Sequence, residues 1–202
     1  MTRNTNVKNI KAVYQLATAE EIVTGKAWYQ VAKAAAQLIA ERHGVSEVVA
    51  IGVIAALSPR NRWSRNLLDA ENLIEAYVAD SESAIDTKVC TFGANKIKAL
   101  RILEAGNPLL DEILDILSGP KLREFATCIN DSLTFDVCID GHAYCIWNGG
   151  RTSLADVPRI GVKLRAQIKE DYRDAASDLG LNPSALQAIT WVAWRRLHGI
   201  TN

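Results

Sequence analysis

LSGPKLREFATCINDSLTFDVCIDGHAYCIW, residues 117–147, is the stretch on which the reading of this chain turns, because it combines a turn, adjacent cations and an acid in apolar surroundings. Leu117-Ser118-Gly119-Pro120 ends one helical pattern and starts another: glycine tolerates backbone angles that other residues avoid, and proline suits a first helical turn. Lys121 and Arg123 follow at once. A helix start offers unpaired N–H groups and a partial positive end, so this turn with its two cations is a candidate phosphate site. Downstream, Phe135, Val137, Cys138 and Ile139 lead into Asp140-Gly141-His142, and Ala143, Tyr144, Cys145, Ile146 and Trp147 follow. Asp140 then has two compatible readings, as the N-cap of a helix through Trp147 and as a carboxylate placed for catalysis. His142 has no second His or Cys at ligand spacing, which favours a hydrogen-bonded structural imidazole over a metal ligand, and no metal site is expected.

The 202 residues suit one compact unit or two closely packed lobes. Lys and Arg number 23 and Asp and Glu 23, so the formal net charge is zero. That argues against attachment to nucleic acid by bulk electrostatics and leaves room only for a local basic surface. The four cysteines, at 90, 128, 138 and 145, lack CxxC spacing and read as reduced thiols in a reducing, cytoplasmic compartment. No apolar run is long enough to span a bilayer, and the polar start MTRNTNVKN lacks a signal-peptide core, so no membrane partner is expected.

The apolar spacing is mostly helical and the chain reads as all-α. Val7 to Leu16 gives a short helix, and Ala27 to Arg42 an Ala-rich one ended by His43-Gly44. Ser46-Glu47 opens VVAIGVIAAL, apolar nearly all round, as a buried central helix ought to be. It ends at Ser58-Pro59. Arg60, Asn61, Arg62 and Trp63 then form a junction that could grip phosphates and offer a side chain to a base stack, or could be a solvated loop with Trp63 packed inward. Leu67 to Val78 continues as an amphipathic helix, followed by an acidic loop over 80–86. Further helices are expected over Lys96 to Leu103, Pro108 to Ile116 and Val162 to Leu179, the last ended by Gly180. Asn182-Pro183 starts the final one, in which Trp191 and Trp194 read as core anchors and Arg195, Arg196 and His198 suit a C-terminal end.

Several of these pieces stand in the order of one family. AALSPRNRWSRN, TFGANKIKALRIL, LSGPKLREFA and VCIDGHAYCIW resemble, in turn, the buried helix with its Leu-Ser wedge turn, the Gly/Lys helix, the hairpin and the catalytic-Asp segment of the helix-hairpin-helix DNA glycosylases. The Asp-Gly-polar run at Asp140 is similar to that of the adenine-DNA glycosylase branch. The resemblance covers residues 45–147 and implies a two-lobed helical fold, with 45–147 as a glycosylase-like core and 1–44 plus 148–202 as a second lobe. It implies double-stranded DNA as partner and Asp140 as the catalytic carboxylate, ionised, that stabilises the sugar cation or orients the attacking water. Arg60, Asn61, Arg62, Trp63, Gly119, Lys121, Arg123 and His142 become the DNA-contacting set. The chain also departs from the family. LSGPK keeps one hairpin glycine where two are usual, and nothing after Cys145 can supply an iron–sulfur ligand set, so neither that cluster nor another cofactor is expected. Lys121 is the nearest candidate for a lyase lysine and joins Asp140 as a candidate catalytic residue, its register in the hairpin left open, while a monofunctional enzyme is favoured over a lyase.

Three functions follow as expectations. The first is a base glycosylase that flips a base from duplex DNA and hydrolyses its bond to the sugar. The second keeps the fold but modifies a base substituent in DNA, as some phage-encoded proteins of similar architecture are thought to do. The third is a non-catalytic helical DNA-binding module in which Asp140 is only a cap.

Overall fold

Helix starts and apolar faces account for most of the architecture. The computed structural model of the chain describes residues 3–153 and 155–200, with side chains from Thr5 onward. The described residues form ten α-helices and a short 3-10 turn at Ser83–Asp86, with no strand among them, so the fold is all-α. None of these helices is long and apolar enough to cross a membrane.

The chain divides into two compact units. Of the described residues, one unit takes those up to Gln30 together with those from Asp131 to Ile200, and the other runs from Val31 to Asn130. Helix α2 (Ala19–His43) contributes to both. The boundary after Asn130 assigns Asp140 to the unit built from the chain's ends, whereas the sequence pattern grouped it with the hairpin over 45–147. The apolar residues around Asp140 decide this, since Val137, Ile139, Ala143, Ile146 and Trp147 share one core with Ile10, Tyr172, Leu186 and Trp194.

In the Val31–Asn130 unit, α3 (Glu47–Leu57) is the centre, as its sequence requires. The Ser46 hydroxyl accepts from the Val49 N–H at 3.3 Å, and every residue from Val49 to Leu57 is buried. Around it pack α4 (Trp63–Ala79), α5 (Gly93–Glu104), α6 (Leu110–Leu117) and α7 (Pro120–Asn130). A helix apolar on all sides needs neighbours on all sides, and four helices supply them.

In the other unit, α1 (Arg3–Gln15), α8 (Gly141–Asn148), α9 (Val162–Leu179) and α10 (Pro183–Leu197) enclose the second core. Asn6 and Asn9 of α1 donate their amides to the Trp147 carbonyl at 3.0 and 3.1 Å, which satisfies an acceptor near the end of α8. The Trp147 indole N–H donates to Asp171 at 2.7 Å. α10 begins as expected, with Asn182 as cap and Pro183 in the first turn.

Helix α2 starts eight residues before the Ala27 expected from apolar spacing. Thr18 and Glu21 form a reciprocal cap: the Glu21 N–H donates to the Thr18 hydroxyl at 3.2 Å, and the Thr18 N–H to the Glu21 carboxylate at 2.8 Å. Arg196 donates to the same carboxylate at 2.7 Å and, as the largest influence, holds it below the usual carboxylate range. Gly25 interrupts the apolar spacing but not the helix. Its reason is space, for a Cβ there would lie 2.5 Å from the Ile189 Cα of α10. Gly25→Ala therefore gains helix propensity yet is expected to destabilise the protein by about 2 kcal/mol, because backbone rather than a flexible side chain must move. Urea unfolding checks this; an equal or higher midpoint would contradict the close approach.

Candidate functional site

The chain reaches Asp140 through three residues with almost no exposed surface, Val137, Cys138 and Ile139, and leaves it into the buried face of α8. The Ile139 carbonyl accepts from Arg165 at 3.0 Å, which holds the approach. Asp140 itself is half-buried and caps α8, its Oδ1 accepting from the Ala143 N–H at 2.8 Å. The capping reading is thus observed. The second carboxylate oxygen is also held, since Oδ2 accepts from the indole N–H of Trp191 on α10 at 3.2 Å.

Trp191 has two further neighbours in this unit. The Arg195 guanidinium carbon lies 4.4 Å from its ring centroid, and Trp28 of α2 meets it edge-on with centroids 6.1 Å apart. Partial burial pulls Arg195 below the ordinary guanidinium range, and the negative charge of Asp140 opposes that shift. The fully buried Tyr172 hydroxyl is pushed well above the usual phenol range, by burial first and by the negative charge of Asp140 after it. His142, half-buried in the first turn of α8, lies near Arg151 and His198. Burial lowers the His198 pKa most, and the nearby Arg151 guanidinium lowers it further. The result is an oriented carboxylate whose indole partner is itself flanked by a second indole and a guanidinium. Trp194 is a core anchor as expected, at 7% exposure, but Trp191 lies outside the buried core.

The Val31–Asn130 unit holds the remaining candidates. α6 and α7 are joined by Ser118 and Gly119 alone, which makes a helix, a two-residue turn and a helix. The left-handed residue of that turn is Ser118, at φ 55°, and not Gly119. A Cβ on Gly119 would meet nothing closer than the Leu117 carbonyl oxygen at 3.9 Å, so neither backbone angle nor crowding demands a glycine there. Pro120 opens α7 as expected. Lys98 of α5 donates to the Leu117 carbonyl at 2.7 Å and so satisfies the end of α6. Lys121 is half-buried on the first turn of α7, and Arg123 pairs with Asp115 across the hairpin at 3.5 Å.

The junction between α3 and α4 is pinned from below by Asp69, whose side chain is wholly buried. Its carboxylate accepts from the Asn61 amide at 2.9 Å, the Arg65 Nε at 2.6 Å and the Cys90 N–H at 2.7 Å. Asn61 also donates to the Leu57 carbonyl at 3.3 Å, so its amide is committed to the fold. Trp63 is half-buried with its ring edge-on to Phe125 of α7 at 6.4 Å, the inward-packed alternative. Arg60 and Arg62 are exposed or nearly so, with Arg60 at φ 55° and its guanidinium 5.5 Å from the ring centroid of Phe92. Phe92 is 52% exposed and was not singled out by its sequence context. The Thr91 hydroxyl, donating to the Pro59 carbonyl at 2.9 Å, ties the two segments together. Arg60 with Phe92, Arg62, Lys121 and Arg123 are accordingly this unit's cationic and aromatic candidates.

No group of three His, Cys, Asp or Glu side chains among the described residues is placed to hold a metal ion. All four cysteines are free thiols, Cys90 exposed and the others buried.

Over residues 1–198 the chain matches the model of a protein family described as a family of unknown function, DUF7178, and it belongs to that family. No curated protein and no solved structure matches it.

Proposed function

We propose that the protein is a DNA glycosylase-like enzyme that takes a base out of duplex DNA and hydrolyses its N-glycosidic bond. The observation that carries this reading is the Asp140 carboxylate, half-exposed at the start of α8 and held by a donor on each oxygen. It follows a helix, two-residue turn and helix that carry Lys121 and Arg123. The same order of hairpin and acid underlies the resemblance to helix-hairpin-helix glycosylases.

The chemistry asks little of the protein beyond placement. As the bond from C1′ to the base lengthens, the base leaves with the electron pair and positive charge grows on the sugar. A carboxylate beside that sugar, partly shielded from water, stabilises the charge or orients the attacking water. Water adds at C1′, its proton is lost, and a free base and an abasic site remain. Unpairing the base costs a few kcal/mol, which contacts to the phosphates and an aromatic or cationic side chain in the vacated space offset. Arg60, Arg62, Lys121 and Arg123 serve the first purpose in this account. Lys121 acts as a phosphate ligand rather than a Schiff-base nucleophile, so the enzyme is monofunctional, needs no cofactor and works on DNA in the cytoplasm.

Duplexes carrying normal, damaged and modified bases should acquire alkali-labile sites with the wild-type protein. Lys121→Ala is expected to retain base release at saturating enzyme while the salt slope of log affinity falls by about one. Electrophoretic mobility shift across a salt series checks it, and loss of base release at saturation would make Lys121 catalytic. A change of nucleoside mass without abasic sites would replace bond cleavage by base modification. Binding with neither change would leave a helical DNA-binding module.

A further inference from the structure

The geometry points to Trp191 as a positioning residue that sets the plane of the Asp140 carboxylate, a role that rests on the base-cleaving reading. Capping α8 requires one oxygen of Asp140, and the Ala143 N–H already occupies it at 2.8 Å. The torsion that turns an aspartate carboxylate is broad and nearly two-fold, so a cap alone leaves the second oxygen loosely directed. A donor reaching Oδ2 from a helix 51 residues further along the chain removes that freedom. An indole N–H only donates, so Trp191 neither takes a proton from the site nor competes with the carboxylate for one.

The surroundings of Trp191 fit this use. Trp194, one turn on, is a core anchor and fixes the rotation of α10, while Trp191 lies outside the buried core. Arg195 lies on the same face of the helix as Trp191, with its guanidinium over the indole ring. Trp28 closes on the ring with its edge. A phenyl ring would fill most of this space, so the N–H is the part of Trp191 that packing does not explain.

Trp191→Phe isolates that group. On a duplex cleaved by the wild type, kcat is expected to fall on the order of 10- to 100-fold, with KM for the duplex within about twofold of wild type. A thermal melt establishes that the variant folds. If it does not, the wild-type protein still answers: the Trp191 indole proton resonance should move upfield in Asp140→Ala, which removes its acceptor. Wild-type kcat in Trp191→Phe, a raised KM at unchanged kcat, or an indole resonance indifferent to Asp140→Ala would each overturn the proposal. A wild-type protein that produces no abasic site on any duplex would instead overturn the base-cleaving reading, and the positioning role of Trp191 with it.

Discussion

Asp140→Asn is expected to give a folded protein whose rate of base release has dropped on the order of 10²- to 10³-fold. Asparagine caps helices as well as aspartate does, so the Ala143 N–H keeps its acceptor and α8 keeps its start. The change removes the negative charge that the proposed reaction places beside the sugar, and it turns an NH2 group toward the Trp191 indole N–H where Oδ2 had been. Two donors then face each other, at a cost to stability of about 1 kcal/mol. Single-turnover assays and urea unfolding on the same preparation separate the two effects. A large loss of rate with a small loss of stability is the expected pair. Undiminished turnover with the same small loss would reduce Asp140 to a cap.

Asp69→Ala is expected to destabilise the Val31–Asn130 unit by about 3 kcal/mol, the largest stability effect of any change considered. The carboxylate is wholly buried and accepts three hydrogen bonds. Arg65 is partly exposed and can turn to water, whereas the Cys90 N–H would lose its acceptor and the Asn61 amide would keep only the Leu57 carbonyl. The loss concentrates where Arg60 and Arg62 are presented, so duplex affinity should fall with stability although Asp69 touches no ligand. Asp69→Asn retains one acceptor and should lose less. Equilibrium unfolding with mobility shift on all three proteins checks the ordering, and a fully stable Asp69→Ala would contradict the pinning of the junction.

How much of this was legible in the sequence depends on the range of the interaction concerned. Ser46 and the apolar run after it identify α3, and Gly180 and Asn182-Pro183 mark the end of α9 and the start of α10, because caps and breakers act within a few residues. Asp140 as a cap was legible for the same reason. The start of α2 was equally local, written in Thr18 and Glu21 ahead of the Ala-rich run, and the helix passes through Gly25 without a break. That glycine answers to Ile189 on a distant helix. Trp191 is the corresponding case for the site: nothing near it in sequence distinguishes it from the core tryptophan three residues on, and its meaning comes from Asp140. For Asn61 and Trp63 the sequence left open a phosphate-gripping junction or a loop with Trp63 packed inward, and contacts to Asp69 and Phe125, distant in the chain, hold both to the fold. At the hairpin the sequence pointed to Gly119, and Ser118 carries the left-handed backbone instead. Two residues between helices still make the turn, so the hairpin survives with its strain moved by one position.

The most direct test of the account is mass spectrometry of the bases set free when wild-type and Asp140→Asn proteins are incubated with duplexes containing normal, damaged and modified bases. Release of one base by the wild type, reduced at least a hundredfold in Asp140→Asn, is the predicted result. No free base from any duplex, or equal release by both proteins, would contradict it.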